Sequence, residues 1–190
     1  MESRIYTRAT QLETGQFVCA PIKLPSSITI RYGVHHNIDW VNCFVAHIDD
    51  MICFLGFCNS GDDQQCYTDL VQLFPGALLV QDNDGASRLC QKIFDRSTQH
   101  KLSMLLVGTA FQTLVWTKLL HFGTGAKMSY REFAQFMGHP RAIRAAASAI
   151  GRNNVAYLVP CHRIIKSNGN VHKYRWGTTF KQQLLDNEQR

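Results

Sequence analysis

Val155-Ala156-Tyr157-Leu158-Val159-Pro160-Cys161-His162-Arg163-Ile164-Ile165 is the stretch around which the rest of the chain has to be arranged. An apolar run of strand character ends in a proline, and a cysteine and a histidine follow at once. In an extended strand residues 161 and 162 would point to opposite faces. Thiol and imidazole therefore communicate only through a turn or a bridging water. Pro160 has a fixed φ and no backbone donor, which favours a bend here. A thiol is weakly nucleophilic until a neighbour removes its proton or stabilises the thiolate, so this segment carries a candidate nucleophile. Taken alone, a Cys-His dipeptide more often marks a buried structural cysteine.

The region upstream reads as helices. Phe111, Leu114, Val115, Trp116 and Leu119 share a helical face. Ser129-Tyr130-Arg131-Glu132 is a capping box that starts a helix. That helix runs through Phe133 and Phe136 and stops at Gly138, and Pro140 suits the first turn of the next. A helix, a tight glycine turn and a second helix form a helix-turn-helix pattern. In the second helix Ala142, Ala145, Ala146 and Ala149 follow i, i+3, i+4, i+7, accompanied by Arg141, Arg144 and Arg152. A thin, arginine-edged helix suits a narrow groove. The alternative is an alanine face that lets two helices of the chain pack closely.

The first half is α+β. Ile28–His35, Val41–His47 and Met51–Cys58 read as strands, the last two joined as a hairpin across Asp49-Asp50. Tyr67–Phe74 and Ala86–Phe94 read as helices, and Leu102–Val107 as a further strand, giving an antiparallel sheet with helices. Residues 1–27 lack a period and contain Pro21 and Pro25, which reads as an N-terminal arm. The expected organisation is an arm at 1–27, a supporting domain at 28–107 and an acceptor domain at 108–190.

Composition narrows the possibilities further. Across 190 residues, 45% hydrophobic and 11% aromatic side chains suffice for a buried core and argue against disorder. No apolar run approaches the ~20 residues of a membrane-spanning helix, and no apolar signal-peptide core follows the first basic residues. A soluble, unexported, cytoplasmic protein is expected. The seven cysteines are odd in number and form no C-x-x-C pair. The spacing of Cys19, His35, His36, Cys53 and Cys58 matches no metal signature, so no metal or other cofactor is expected. Charge is divided unevenly. Residues 1–108 carry eight Lys/Arg against eleven Asp/Glu, and residues 109–190 carry twelve against three, so −3 and +9 make up the net +6. A strongly positive second half suits a polyanionic partner.

Taken together, Pro-Cys-His-Arg at 160–163, Asn153 and the arginine-and-alanine helix closely resemble the O6-alkylguanine-DNA alkyltransferase family. The likeness extends through Gly108-Thr109-Ala110-Phe111-Gln112, Val115-Trp116, Ser129-Tyr130, Tyr174-Arg175-Trp176-Gly177 and Lys181-Gln182-Gln183-Leu184-Leu185 to Glu188. It is strong over about residues 108–188 and looks most like the C-terminal repair part of bacterial adaptive-response (Ada) proteins. A weaker likeness reaches back to Arg31-Tyr32-Gly33.

The resemblance implies a ribonuclease H-like N-terminal half with a small antiparallel sheet, and a mostly helical, winged-helix-like C-terminal half. It implies a single-turnover methyltransferase that moves the alkyl group of O6-alkylguanine, or O4-alkylthymine, from double-stranded DNA onto Cys161. His162 would take the thiol proton through a water and be oriented by Glu188, while Asn153 would hold the turn. Arg144 would enter the base stack in place of the flipped nucleotide, and Tyr130 would contact the 3′ phosphate and the flipped base. Ser129, Arg141, Ala142 and Ala145 complete the expected DNA contacts. Tyr174, Arg175, Ile164 and Pro160 would shape the substrate pocket. The expected state is a monomer located with DNA, in the cytoplasm, nucleoid or nucleus.

The reaction and the surface agree with this physically. Extruding a base costs a few kcal/mol, and a basic domain supplies phosphate affinity. A thiolate in such a positive setting is expected to have a pKa below the ~8.5 of a free thiol. Lys173, Arg175 and Trp176 depart from smaller residues seen in some members and are expected to narrow the pocket mouth. With 27 residues ahead of residue 28, no zinc-binding sensor module is expected there. Two other readings stay open. One is a non-catalytic helix-turn-helix module that binds DNA or senses alkylation. The other is a cysteine hydrolase, for which no oxyanion hole is evident.

Overall fold

The computed structural model describes residues 3–38, 41–58, 63–95, 100–171 and 173–189. Strands β3 (Thr29–Ile38), β4 (Val41–Ile48) and β5 (Met51–Cys58) form an antiparallel meander. The β4–β5 connection turns at Asp49, whose φ of +51° is tolerated by a short polar side chain. All eight residues of β5 are buried, as expected of a strand covered on both faces. Helices α1 (Gln64–Leu73) and α2 (Asn83–Phe94) follow, separated by β6 (Leu78–Gln81).

Two expectations need correction. Residues 1–27 are not an arm, because β1 (Ile5–Gln11) and β2 (Phe17–Ile22) form a hairpin, and β1 pairs with β7 (Ser103–Gly108). Pro21 lies on β2, which is a sheet edge, where a missing donor leaves no ladder bond unmade. The seven-stranded order β2-β1-β7-β5-β4-β3-β6 is also mixed rather than antiparallel. β3 pairs with β6, and β5 with β7, in parallel. Four-residue β6 and the short alternation of β1 carry too little pattern to stand out in sequence.

The β5–β7 pairing covers only Met51↔Ser103 and Ile52↔Met104. Beyond it, the segment leading to Cys161 occupies the free side of β5. Leu55 N donates to Asn154 O at 2.9 Å, and Ala156 N donates to Leu55 O at 2.8 Å. The apolar core is accordingly continuous across residue 108, joining Phe54, Leu55 and Leu106 to Trp116, Val155 and Leu184.

β7 runs into α3 (Ala110–Leu119), opened by a Thr109–Gln112 capping box. The expected Ser129–Glu132 box opens α4 (Tyr130–Phe136). Gly138, with φ +78°, ends it in a left-handed turn in which His139 N reaches Ala134 O at 2.9 Å. The next helix, α5 (Ile143–Gly151), starts later than Pro140 suggests. Ala142 N bonds His139 O at 2.9 Å, which closes a turn first. The alanine stripe is consequently split. Ala146 and Ala149 are buried where α5 meets α3, and Trp116 Nε1 donates to Ala149 O at 2.9 Å. Ala145 and Arg144 are exposed. Close helix packing therefore explains half of the stripe and leaves the other half for solvent or a partner. A two-stranded sheet, β8 (Met128–Ser129) with β9 (Ile164–Ile165), and helix α6 (Thr178–Asn187) complete the fold.

Candidate active site

The bend ahead of Cys161 is made by two tight turns. Tyr157 has φ +65°, and Leu158 N closes on Ala156 O at 2.7 Å. Positive φ at a bulky residue is strained and is kept only where surrounding contacts over-determine it. Pro160, at φ −79° and ψ 56°, is then the centre of an inverse γ-turn closed by Cys161 N to Val159 O at 2.7 Å. Cys161–Arg163 form a 3-10 turn, so the thiol and the imidazole no longer lie on opposite sides of a strand.

Asn153, buried just beyond α5, holds this bend together. Its Oδ1 accepts from Val155 N at 2.9 Å, and its Nδ2 lies 3.1 Å from Val155 O, Val159 O and Cys161 Sγ. Burial raises the Cys161 thiol above its ordinary pKa. Asn153, the Lys181 ammonium and the Tyr174 hydroxyl pull it down without overcoming burial. The expectation of a depressed resting pKa is thus corrected, because desolvation of the thiolate outweighs the local donors and positive charge.

His162 is fully buried, and its Nε2 meets Glu188 Oε1 at 2.8 Å. Burial keeps the imidazole below its usual pKa despite the carboxylate, so it is neutral at pH 7. With Nε2–H donating to Glu188, Nδ1 is the acceptor nitrogen, and among the described residues it has no hydrogen-bond partner. Burial alone would raise Glu188, but bonds from His162 and Arg163 overcome it and bring the carboxyl to about 2. Arg163 Nη2 donates to Glu188 Oε1 at 2.7 Å, and Gly125 N to Oε2 at 3.2 Å. Arg163 also donates to Phe122 O. The pairing of Glu188 is therefore internal, with His162 and Arg163. Lys181, the nearest basic residue upstream on the same terminal segment, bonds Ile164 O rather than Glu188.

A cavity of about 350 Å³ opens onto Cys161 and is lined by Tyr130, Asn153, Tyr174, Arg175, Trp176 and Lys181, among others. The Tyr174 hydroxyl is buried beside the thiol with no other partner among the described residues, and burial pushes its pKa well up. Arg175 holds the mouth. It donates to Asp69 at 2.5 Å and Asn154 Oδ1 at 2.6 Å, and it stacks 4.9 Å over the Trp176 ring. Trp176 in turn fills the space above Gly56, where an added Cβ would fall 2.7 Å from its ring. Pro160 borders a different cleft, of about 740 Å³, on the Arg163 and Glu188 side. The Ile164 carbonyl is already engaged by Lys181 Nζ at 2.6 Å. That larger cleft does not reach the thiol, so the smaller one is the chemically relevant space.

Tyr130 also borders a shallow cleft of about 320 Å³ with Ser129, Arg131, Ile143 and Lys166. The Ser129 hydroxyl accepts from Glu132 N at 3.2 Å in the helix cap. Arg141, Arg144 and Ala145 are exposed and Ala142 half-buried, at and beyond the start of α5. Sequence reasoning missed Arg163, Asp69 and Lys181 as parts of the site. Arg163 and Lys181 lie inside quoted motifs, but nothing in their spacing says that they are buried.

A buried thiol fixed by an amide, beside a neutral histidine backed by an ionised carboxylate, is a nucleophilic site of the Cys-His-acid type. Residues 110–190 match the family model described as 6-O-methylguanine DNA methyltransferase, DNA binding domain. The chain is 34% identical over 170 residues to the bifunctional transcriptional activator/DNA repair enzyme Ada of Escherichia coli, covering 85% of this chain and 46% of that protein. It is 35% identical over 156 residues to the inducible methylated-DNA–protein-cysteine methyltransferase of Bacillus subtilis, covering 80% of this chain and 86% of that protein. The crystal structure of Mycobacterium tuberculosis OGT in complex with DNA matches with a TM-score of 0.65 at 26% identity, over 83% of this chain and 92% of that one. The chain belongs to the methylated-DNA–protein-cysteine methyltransferase family. It spans about half the length of the Ada proteins it matches.

Proposed function

We propose that the chain repairs DNA directly, moving the alkyl group of O6-alkylguanine, and of O4-alkylthymine, from duplex DNA onto Cys161 in one turnover. The observation that carries this reading is the cavity ending on Cys161, whose thiol is held by Asn153 beside the His162–Glu188 pair. In this reading the thiol proton passes through a water to His162 Nδ1. Sγ then attacks the alkyl carbon, and the C–O6 bond breaks with its electron pair going to the base. The base regains a proton, so the net exchange is thiol for thioether and O6-alkylguanine for guanine. A thioether offers no easy return to a free thiol, which limits each molecule to one lesion.

The DNA face is proposed to be the outer side of the helix-turn-helix. Tyr130 would work on the 3′ phosphate and the flipped base, with Ser129, Arg141, Ala142 and Ala145 along the groove. Arg144 would fill the vacated stack. Tyr174 and Arg175 would form the pocket wall and mouth, with Ile164 and Pro160 supporting the acceptor turn from behind. We further read the sheet half as ribonuclease H-like and supporting, the basic half as winged-helix-like and DNA-binding, and the acting unit as a monomer located with DNA. Among the described residues no helix is long and apolar enough to cross a membrane.

Incubation with an O6-methylguanine duplex is expected to add one methyl group per molecule, mapped by peptide mass to Cys161. Multiple turnover, or methyl on another cysteine, would overturn the reading. Binding to the lesion without transfer would favour the module that senses alkylation. Arg144 is exposed on α5, away from the thiol. Arg144→Ala is expected to slow repair of duplex DNA by about 100-fold, roughly the ~3 kcal/mol of one unstacked base. The same variant should react with a free O6-alkylguanine base at the native rate, measured in parallel. Equal slowing on both substrates would place the residue in the pocket or the fold instead.

A further inference from the structure

Lys181 is fully buried at 1% exposure, yet no carboxylate pairs with it among the described residues. It stands in the first turn of α6 (Thr178–Asn187), the end of a helix where the dipole disfavours a cation. An ammonium placed so is costly unless something compensates its charge. Its neighbours supply little. Nζ donates to Ile164 O at 2.6 Å and lies 6.0 Å from the centre of the Tyr130 ring. Beyond these it faces the cavity that ends on Cys161.

We infer that Lys181 is the counter-ion of the Cys161 thiolate, a fixed positive charge built into the cavity for the moment when the thiol has lost its proton. This rests on the alkyl-transfer reading and adds to it a residue that neither donates nor accepts the transferred proton. That proton goes from Sγ to His162 Nδ1, and Lys181 is an ammonium before and after the step. The Sγ lone pair becomes the S–C bond, and the C–O6 pair departs with the base, so negative charge forms and disperses in the cavity that Lys181 also lines.

The groups facing Lys181 from the other elements leave this role to it. Tyr130 on α4 and Tyr174 in the mouth are held protonated by burial, and burial keeps His162 on the 3-10 turn neutral. Lys173, Arg152 and Arg175 lie at the cavity rim. Burial lowers the Lys181 pKa and the Cys161 thiolate draws it part of the way back, while Lys181 in turn draws the thiol pKa down against the thiol's own burial.

The test is the pH dependence of Cys161 alkylation by iodoacetamide, read on the Cys161 peptide, with methyl transfer from an O6-methylguanine duplex in parallel. Lys181→Gln, which keeps a donor for Ile164 O, and Lys181→Met both remove the charge. Each is expected to raise the alkylation midpoint by about one pH unit and to slow both reactions at pH 7 about tenfold, the thiolate fraction lost in one unit. Lys181→Arg is expected to keep the native midpoint. Identical midpoints in the native and neutral variants overturn the assignment, and so does an equal shift in Lys181→Arg, which would mark shape rather than charge. Failure of the native protein to take up methyl from DNA would sink the repair reading alone, since the iodoacetamide titration tests Lys181 without it.

Discussion

Cys161→Ala is expected to abolish methyl transfer to the protein while leaving both the fold and DNA binding in place. The expected loss is complete, because the remaining cysteines are held away from this chemistry. Cys53 is fully buried and lifted by burial far above the usual thiol range, and Cys66 is pushed up to about 12 by burial. Neither lines the cavity. Removing Sγ deletes one buried atom and a weak acceptor for Asn153, which keeps its contacts to Val155 O and Val159 O. The stability cost should stay near ~1 kcal/mol. Gel-shift affinity for an O6-methylguanine duplex and the absence of methyl uptake by intact mass check the two halves of this expectation. Residual transfer in the variant would show that another residue accepts the alkyl group.

The second large effect concerns the relay. His162→Phe removes the nitrogen proposed to accept the thiol proton, and a fall in transfer rate of about 10³-fold is expected for losing a general base. Glu188→Gln keeps the shape but leaves Arg163 beside a neutral amide and frees the imidazole to choose its tautomer. A fall of about 10²-fold is expected, together with a stability loss of about 3 kcal/mol for breaking a buried pair. The double variant should be no slower than His162→Phe, since a carboxylate that acts only through His162 has nothing left to orient.

Acid titration separates the structural part of this effect from the catalytic part. Because the Glu188 carboxyl is lowered to about 2 in the fold, its contribution to stability is present above the ordinary carboxylate pKa of ~4.3 and lost as pH falls through about 2. Glu188→Gln should therefore flatten that part of the stability profile. A native rate and pH profile in Glu188→Gln, with only His162→Phe impaired, would leave a Cys-water-His pair and remove the carboxylate from the relay.

Sequence reading reached the site through residues whose type is dictated by what they do. Ser129 and Glu132 satisfy helix-start amides, Gly138 takes positive φ, and Asn153 offers both a donor and an acceptor to a bend. Such demands survive in one dimension. The sheet was less legible. β1 pairs with β7 almost a hundred positions away, and a strand whose partner is that remote shows only its own weak alternation. The β5–β7 and β3–β6 parallel pairings are invisible for the same reason, since nothing local distinguishes parallel from antiparallel edges. The thiol pKa was misjudged because composition reports net charge, whereas burial of one sulfur depends on the surrounding packing. Lys181 escaped notice because a lysine in a basic half reads as surface.

The seam between Leu55 and residues 154–156 has a practical consequence for anyone wishing to engineer this protein. The boundary near residue 108, where charge and composition change, invites a cut that would yield a compact basic fragment. That fragment would lose the strand against which the Cys161 turn is laid down and would bare Val155 and Trp176, which lie against Leu55 and Phe54 in the intact chain. It should be recovered as aggregate, whereas supplying residues 1–108 as a separate chain in the same cell should restore solubility. The two halves are better handled as complementing pieces of one body than as exchangeable modules.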